Sequence, residues 1–125
     1  MIEEAYVSFE TAKLLKEKGF NEYCRAFRSP SGKLFYSSHD IKNFEDGKTI
    51  GGAIAAPTLQ MAMRWLREVH NIKVNIFYNN SNYTIEYFEP NTQTGVGKFV
   101  FIGDGYNVYE QACEIAIKYC LENLI

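Results

Sequence analysis

The spacing of apolar residues in the second half of the chain predicts a helix, three strands and a closing helix. From residue 56 to residue 70 the apolar side chains recur every three or four positions, which is the period of one helix face. Pro57 suits the first turn of such a helix, and Asn71 tolerates the left-handed conformation with which helices often end. The predicted inward stripe comprises Leu59, Ala62, Met63, Leu66 and Val69, with Trp65 at its edge.

Three apolar runs follow this helix, near residues 72–77, 83–88 and 98–102, and they alternate with period two as half-buried strands do. Each run sets aliphatic side chains on one face and phenylalanine among polar residues on the other. Asn107 and Glu110 have the spacing of a capping box for the last helix. The order αβββα therefore predicts an antiparallel sheet with both helices on its aliphatic face. The opposite face is predicted to carry Phe77, Phe88, Phe99 and Phe101.

The first 55 residues have a weaker pattern. Ser8 can cap a short helix that ends at Lys18 and is stopped by Gly19. Two short strands, at 23–28 and 34–37, flank a Pro-Ser-Gly-Lys turn and predict a β-hairpin. We therefore expect a single α+β domain over residues 1–125, made of a helix and hairpin (1–37), a loop (38–55) and the αβββα unit (56–125).

Composition narrows the class of protein. A length of 125 residues suits one domain, and the net charge of −2 argues against an obligate polyanion binder. The acidic N-terminus has no apolar signal region, and no apolar run approaches the ~20 residues of a membrane span. The three cysteines, Cys24, Cys113 and Cys120, form no zinc or disulfide pattern. These features predict a soluble, cytoplasmic protein with reduced thiols, without a cofactor or a metal.

Each sequence motif that could indicate catalysis or ligand binding is incomplete. Gly47-Lys48-Thr49 resembles the end of a phosphate-binding loop but lacks its first glycine and its following helix. His39-Asp40 could be half of an acid–base pair. The side chains of adjacent residues point apart, however, and no nucleophilic residue stands at a sequence spacing from this pair that is typical of a catalytic site. Cys24 has no histidine placed to activate it, and His70 suits a structural role near a helix end. An enzyme is therefore only the third interpretation.

Nucleic-acid binding is the alternative function. The αβββα order resembles the double-stranded-RNA-binding domain, and strand-borne aromatic rings near Arg25, Arg28 and Lys33 could stack on bases. That family grips phosphates with lysines at the start of its last helix, whereas residues 107–111 here contain an acid and no base. Its loop between the first two strands carries a histidine, which residues 79–82 lack. The resemblance therefore concerns topology alone.

A second resemblance involves residues 11–22, 56–72 and 109–114, with the motifs Ala-Pro-Thr-Leu, Trp-Leu-Arg-Glu and Tyr-Glu-Gln-Ala. Together they resemble small uncharacterised proteins encoded by phages and mobile elements of anaerobic gut bacteria. That resemblance implies a phage-related origin but no activity, because the family has no assigned function. We therefore expect a non-enzymatic binding or accessory protein that self-associates. Its predicted interaction surface comprises Phe77, Phe88, Phe99, Phe101, Arg64 and Arg67.

Overall fold

The computed structural model describes residues 2–43 and 52–125 and confirms an α+β fold with two three-stranded antiparallel sheets and three helices in those residues. The chain forms two compact units, Met1–Ala62 and Met63–Ile125, and the boundary falls inside the second helix. The first unit holds the sheet β2-β1-β3, and the second holds β4-β5-β6. The elements are α1 (Phe9–Glu17), β1 (Cys24–Arg28), β2 (Leu34–Ile41), β3 (Ile54–Ala55), α2 (Leu59–His70), β4 (Lys73–Asn79), β5 (Asn82–Glu89), β6 (Lys98–Tyr106) and α3 (Tyr109–Asn123).

Helix α1 follows the sequence prediction closely. The side-chain oxygen of Ser8 accepts a hydrogen bond from the Thr11 backbone N–H at 3.2 Å, as an N-cap residue does. The helix ends at Glu17, one residue before the predicted end, and Gly19 then adopts a φ of 95°. Leu15 is fully buried, so α1 contributes an apolar face to the first unit, where it packs against β3.

The sheet of the first unit contains the predicted hairpin and one strand that was not predicted. Strands β1 and β2 pair antiparallel, and β2 continues to Ile41 rather than ending at residue 37. Strand β3 lies in the segment predicted to be a loop and pairs with β1 through Phe27 and Ala55. Two residues are too few to show a period-two pattern, so β3 could not be predicted from the sequence. The Gly47-Lys48-Thr49 motif lies outside the described residues.

A buried amide joins three segments of the first unit. The Nδ2 of Asn43 donates to the carbonyl oxygen of Phe20 at 3.1 Å, and its Oδ1 accepts from the N–H of Ala55 at 3.0 Å. Asn43 is only 6% exposed, so both bonds lie away from water. Because a buried polar group without a partner is costly, this side chain fixes the position of β3 beside the segment that follows α1.

The first residues of the chain pair with the segment before α2. Tyr6 forms an isolated antiparallel bridge with Thr58, and the N–H of Val7 donates to the carbonyl oxygen of Pro57 at 3.0 Å. Ala56 and Pro57 are therefore extended, and α2 begins at Leu59 instead of at the predicted Pro57. The side-chain oxygen of Thr58 accepts from the N–H of Met61 at 3.1 Å, so this threonine caps the helix.

The remainder of α2 largely fits the predicted stripe. Asn71 ends the helix with a φ of 55°, which confirms its left-handed conformation. Leu66 is fully buried and Trp65 is 5% exposed, but Val69 is 57% exposed and does not belong to the inward face. Val69 lies in the last turn of α2, which ends at His70. No further helical turn follows to cover the Val69 side chain.

The sheet of the second unit confirms the predicted αβββα order. Strands β4, β5 and β6 form an antiparallel meander, and Asn80 and Ser81 turn the first hairpin with φ values of 50° and 69°. Helix α3 packs across all three strands. The fully buried members of this core are Ile85, Ala112 and Ala116, and the partly buried members are Val74, Ile76, Tyr83, Ile102, Tyr106 and Ile115.

The predicted capping box of α3 is wrong. The helix begins at Tyr109, its N-cap is Val108, and no side-chain hydrogen bond caps it. A box formed by Asn107 and Glu110 requires Asn107 at the N-cap position, and the helix starts one residue too late for that. Strand β6 explains the shift, because it runs to Tyr106 rather than ending at the predicted residue 102.

Candidate interaction surface

The face of the second sheet opposite α3 is built from eight residues whose positions follow from the strand register. Lys73 of β4 lies opposite Phe88 of β5, which in turn lies opposite Phe99 of β6. Side chains at directly opposed positions share one face of a sheet and contact one another. The next rows are Asn75, Glu86 and Phe101, followed by Phe77 and Thr84. We call these eight residues the outer face.

The rings at one end of the outer face hold one another in place. Phe88 and Phe99 pack edge to face, with ring centroids 5.4 Å apart, and the Nζ of Lys73 lies 6.0 Å from the Phe88 ring centroid. Phe88 also lies directly over Gly97, because a Cβ atom at position 97 would fall 2.1 Å from its Cζ. This end of the surface is therefore preformed.

Two phenylalanines of the outer face remain open to solvent. Phe99 is 58% exposed and Phe101 is 61% exposed, while Phe77 and Phe88 are half-buried. Phe99 and Phe101 stand two residues apart on β6, so their side chains project to the same side. Neighbouring exposed rings of this size are typical of surfaces that contact another molecule.

The charges of the outer face nearly cancel. Its only cation is Lys73 and its only anion is Glu86, and the Glu86 carboxylate accepts a hydrogen bond from the Nδ2 of Asn75 at 2.9 Å. A surface with one positive and one negative group produces little net potential, whereas phosphate binding needs several clustered cations. The outer face is therefore suited to an uncharged, apolar partner surface.

The two predicted arginines lie on a different element. Arg64 and Arg67 are both exposed on α2, and the Nε of Arg64 lies 3.1 Å from the Oε1 of Glu68, one helical turn away. An exposed pair of this kind contributes little to stability or binding. Sequence reasoning found all four phenylalanines but missed Lys73 and Gly97. Their relation to Phe88 follows only from the pairing register and the hairpin geometry.

The predicted acid–base residues have separate partners. The Oδ1 of Asp40 accepts from the Nε of Arg25 at 2.8 Å, and the Nδ1 of His39 lies 3.3 Å from the hydroxyl oxygen of Ser38. The side chains of His39 and Asp40 are both engaged with other groups, so the structure does not combine them. The ring of His70 packs edge-on against Trp65 at a centroid distance of 4.6 Å, which is a packing contact.

The three cysteines are free and buried. Burial raises the pKa of Cys24 to about 12, and the nearby carboxylates of Asp40 and Glu22 add to the shift. Burial alone raises the pKa of Cys120 to about 12, and burial is also the main reason why the pKa of Cys113 is raised. Since the thiolate is the nucleophilic form, these environments disfavour nucleophilic chemistry at neutral pH.

Two absences concern the part of the chain that the structure describes, residues 2–43 and 52–125. In that part of the chain, no group of three or more His, Cys, Asp and Glu side chains is placed to hold a metal ion. No helix there is long and apolar enough to cross a membrane. No family model, no curated protein and no solved structure matches the chain, so the comparisons add no likeness to a double-stranded-RNA-binding domain or to phage proteins.

Proposed function

We propose that this chain is a small, non-enzymatic binding protein that self-associates through the outer face of its second sheet. The observation that supports the proposal is the exposure of Phe99 and Phe101, at 58% and 61%, on a face where Phe88 packs against Phe99 and over Gly97. Covering these two side chains would remove a large apolar area from water, and burial of apolar area is the main favourable term in association.

The charges of the outer face favour a second copy of the chain as the molecule that binds there. In a two-fold dimer the same patch meets itself, so an apolar patch with balanced charges is compatible with its own copy. Lys73 and Glu86 lie in adjacent rows on neighbouring strands, which allows the lysine of one copy to approach the glutamate of the other. A nucleic acid would find only one cation on this face, and Glu86 would repel its phosphates.

No catalytic step is part of this proposal. Cys24 is a buried thiol whose pKa is raised, and His39 and Asp40 each have a different partner. A cytoplasmic location remains a prediction, which three free thiols support. An accessory role and a phage or mobile-element origin also remain predictions, and they depend on the sequence resemblance alone.

The test compares Phe101→Glu with Tyr78→Glu by size-exclusion chromatography and light scattering over a range of concentrations. Tyr78 is 64% exposed and lies on the opposite face of the same sheet, so it is a matched control. We expect the wild type and Tyr78→Glu to approach twice the chain mass of 14.4 kDa, and Phe101→Glu to remain at that mass. A wild type that stays monomeric at every concentration would refute self-association.

The same samples test the alternative function. Anisotropy of labelled single-stranded and duplex oligonucleotides, at low and physiological salt, measures nucleic-acid binding. We expect at most weak binding that disappears at physiological salt. Micromolar binding that persists at physiological salt, from a monomeric protein and sensitive to Phe101→Glu, would instead establish base stacking on the outer face.

A further inference from the structure

A small cavity opens on the first unit, and its lining includes no residue of the outer face. Its volume is about 150 Å³. The residues that line it are Tyr6, Tyr23, Cys24, Arg25, Ala56, Pro57, Thr58 and Met61. The walls come from four segments that the fold brings together: the bridge at Tyr6, the start of β1, the extended segment before α2, and the first turn of α2.

The size of this cavity matches one six-membered ring. An apolar cavity of about 150 Å³ in another protein takes up benzene, so this volume accommodates a phenyl group and little more. A larger ligand can place only one side chain here and must leave its remainder outside. The cavity is therefore suited to a single anchoring side chain.

The chemistry of the walls favours an aromatic ring over an aliphatic group. Two tyrosine rings offer edge-to-face contacts, and two sulfur atoms, in Met61 and Cys24, offer sulfur–aromatic contacts. The Cys24 thiol keeps its proton at neutral pH, because burial and the nearby carboxylates of Asp40 and Glu22 raise its pKa to about 12. Cys24 therefore adds no charge to the lining.

Two cations near the cavity already have partners within the first unit. Arg25, which contributes to the lining, forms an ion pair with Asp40 at 2.8 Å. The Nζ of Lys42 lies 4.2 Å from the ring centroid of Tyr23, within range of a cation–π contact. Since the two cations are engaged with an anion and a ring of the same unit, a neutral occupant complements the cavity better than a charged one.

The rim of the cavity consists of residue types that dominate protein-binding surfaces. Tyr23 is 54% exposed and Met61 is 37% exposed, and Tyr36, at 66%, packs edge-on against Tyr6 with centroids 5.8 Å apart. Tyrosine and methionine are enriched at interfaces, where a ring in a pocket is a common anchor. We propose that this cavity binds one neutral aromatic side chain presented by a peptide or protein partner.

The experiment is a titration of the full chain, carrying ¹³C-labelled methionine methyl groups, with N-acetyl-phenylalanine amide. Met61 lines the cavity, whereas Met63 is buried and is an internal reference. We expect a saturable upfield shift of the Met61 methyl resonance, because the bound ring lies beside it, and no comparable shift of Met63. A ligand of this size has a Kd in the millimolar range, so the titration extends to about 10 mM.

Two comparators test the neutral and aromatic character of the site. N-acetyl-leucine amide and N-acetyl-phenylalanine, which carries a free carboxylate, should each bind several times more weakly than the neutral aromatic amide. Equal binding of the leucine compound would overturn the aromatic assignment, and equal or tighter binding of the carboxylate would overturn the neutral one.

Variants of Tyr23 test the location of the site. Tyr23→Ala removes an exposed wall and should weaken binding about tenfold, which corresponds to ~1.4 kcal/mol, while Tyr23→Phe keeps the ring and should retain it. Tyr78→Ala, an exposed tyrosine of the second unit, is the matched control. An unshifted Met61 resonance at 10 mM, or full binding by Tyr23→Ala, would refute the proposal. Neither result depends on self-association through the outer face.

Discussion

The two units have the same number of strands and one antiparallel sheet each, yet different interactions hold those sheets together. In the second unit the strands follow one another along the chain as β4-β5-β6, and an apolar core centred on Ile85 packs beneath α3. In the first unit β3 reaches β1 from a distant part of the chain, and Tyr6 pairs with Thr58. A buried amide, Asn43, fixes that arrangement.

This difference shows that strand pairing between adjacent segments and strand pairing between distant segments of the chain depend on different kinds of side chain. A meander joined by tight turns has its register set by the turns and by alternating apolar positions, so its core can be wholly apolar. A two-residue strand such as β3 offers few ladder bonds and little apolar area of its own. Its position therefore depends on a directional hydrogen bond from the backbone N–H of Ala55 to the Oδ1 of Asn43.

The largest expected effect concerns the apolar core of the second unit. Ile85→Ala should reduce the free energy of unfolding by about 2–5 kcal/mol, because Ile85 is fully buried and packs with Ala112 and Ala116. Glu89→Ala, at the exposed end of the same strand, should change it by no more than ~0.5 kcal/mol. Urea titration of both variants measures the difference, and equal losses would contradict a core centred on Ile85.

The next prediction concerns the buried hydrogen bonds that Asn43 makes in the first unit. Asn43→Ala should cost about 1–3 kcal/mol, because it leaves the buried N–H of Ala55 and the carbonyl of Phe20 without their side-chain partner. Asn123→Ala, which removes an exposed amide at the end of α3, should cost ~0.5 kcal/mol or less. Amide hydrogen exchange should show faster exchange at Ala55 in the Asn43 variant; unchanged protection there would contradict this role for Asn43.

A third prediction separates two uses of glycine in the two units. Gly97→Ala should cost about 1–3 kcal/mol by steric conflict with the Phe88 ring and with the carbonyl oxygen of Glu89, and Phe88→Ala in the same chain should remove only the part of that cost that the ring causes. Gly19→Ala should also be destabilising, but because of its φ of 95°, since no atom lies near a Cβ there. Phe88→Ala should not relieve Gly19→Ala. A double-mutant cycle in urea gives both couplings, and equal couplings would rule out the steric explanation.

The last effect is absent at neutral pH, appears only at alkaline pH and involves one thiol from each unit. The pKa of Cys24 and of Cys120 is about 12 in the folded protein and lower, about 8.5, in the unfolded chain. Between roughly pH 9 and pH 12 the folded state therefore binds more protons, and stability should fall as pH rises. Thermal unfolding should show this fall, and Cys24→Ala with Cys120→Ala should flatten it.

A further variant distinguishes the two thiols by the cause of their shifts. Asp40→Asn removes a carboxylate that helps to raise the pKa of Cys24, whereas burial alone accounts for Cys120. Alkylation followed by mass spectrometry should therefore show a lower onset pH for Cys24 in Asp40→Asn and an unchanged onset for Cys120. Equal changes at both cysteines would point to general loosening of the fold.

The sequence predicted best those features that depend on residues close to one another along the chain. Ser8 and Asn71 were identified as helix ends because a cap needs a particular residue type at one position. The faces of β4, β5 and β6 followed from alternation, and they located all four phenylalanines of the outer face. These features depend on short stretches of chain, which a single sequence shows directly.

The features that were missed depend on contacts that are distant in sequence. Strand β3 exists because β1 is beside it, and α2 begins at Leu59 because Val7 binds the carbonyl of Pro57. The burial of Asn43 has no local signature, since asparagine usually lies in exposed turns. The tyrosine cavity unites residues from four segments, so no spacing in the sequence could indicate it.

The packing of Phe88 on Gly97 also limits which residues can occur at these two positions in related sequences. Any residue larger than glycine at position 97 would overlap the ring at position 88 and would also place its Cβ 2.8 Å from the carbonyl oxygen of Glu89. Among relatives that share the fold, a large aromatic residue at 88 should therefore occur only with glycine at 97. A side chain at 97 should require both a smaller residue at 88 and a displaced backbone at 89.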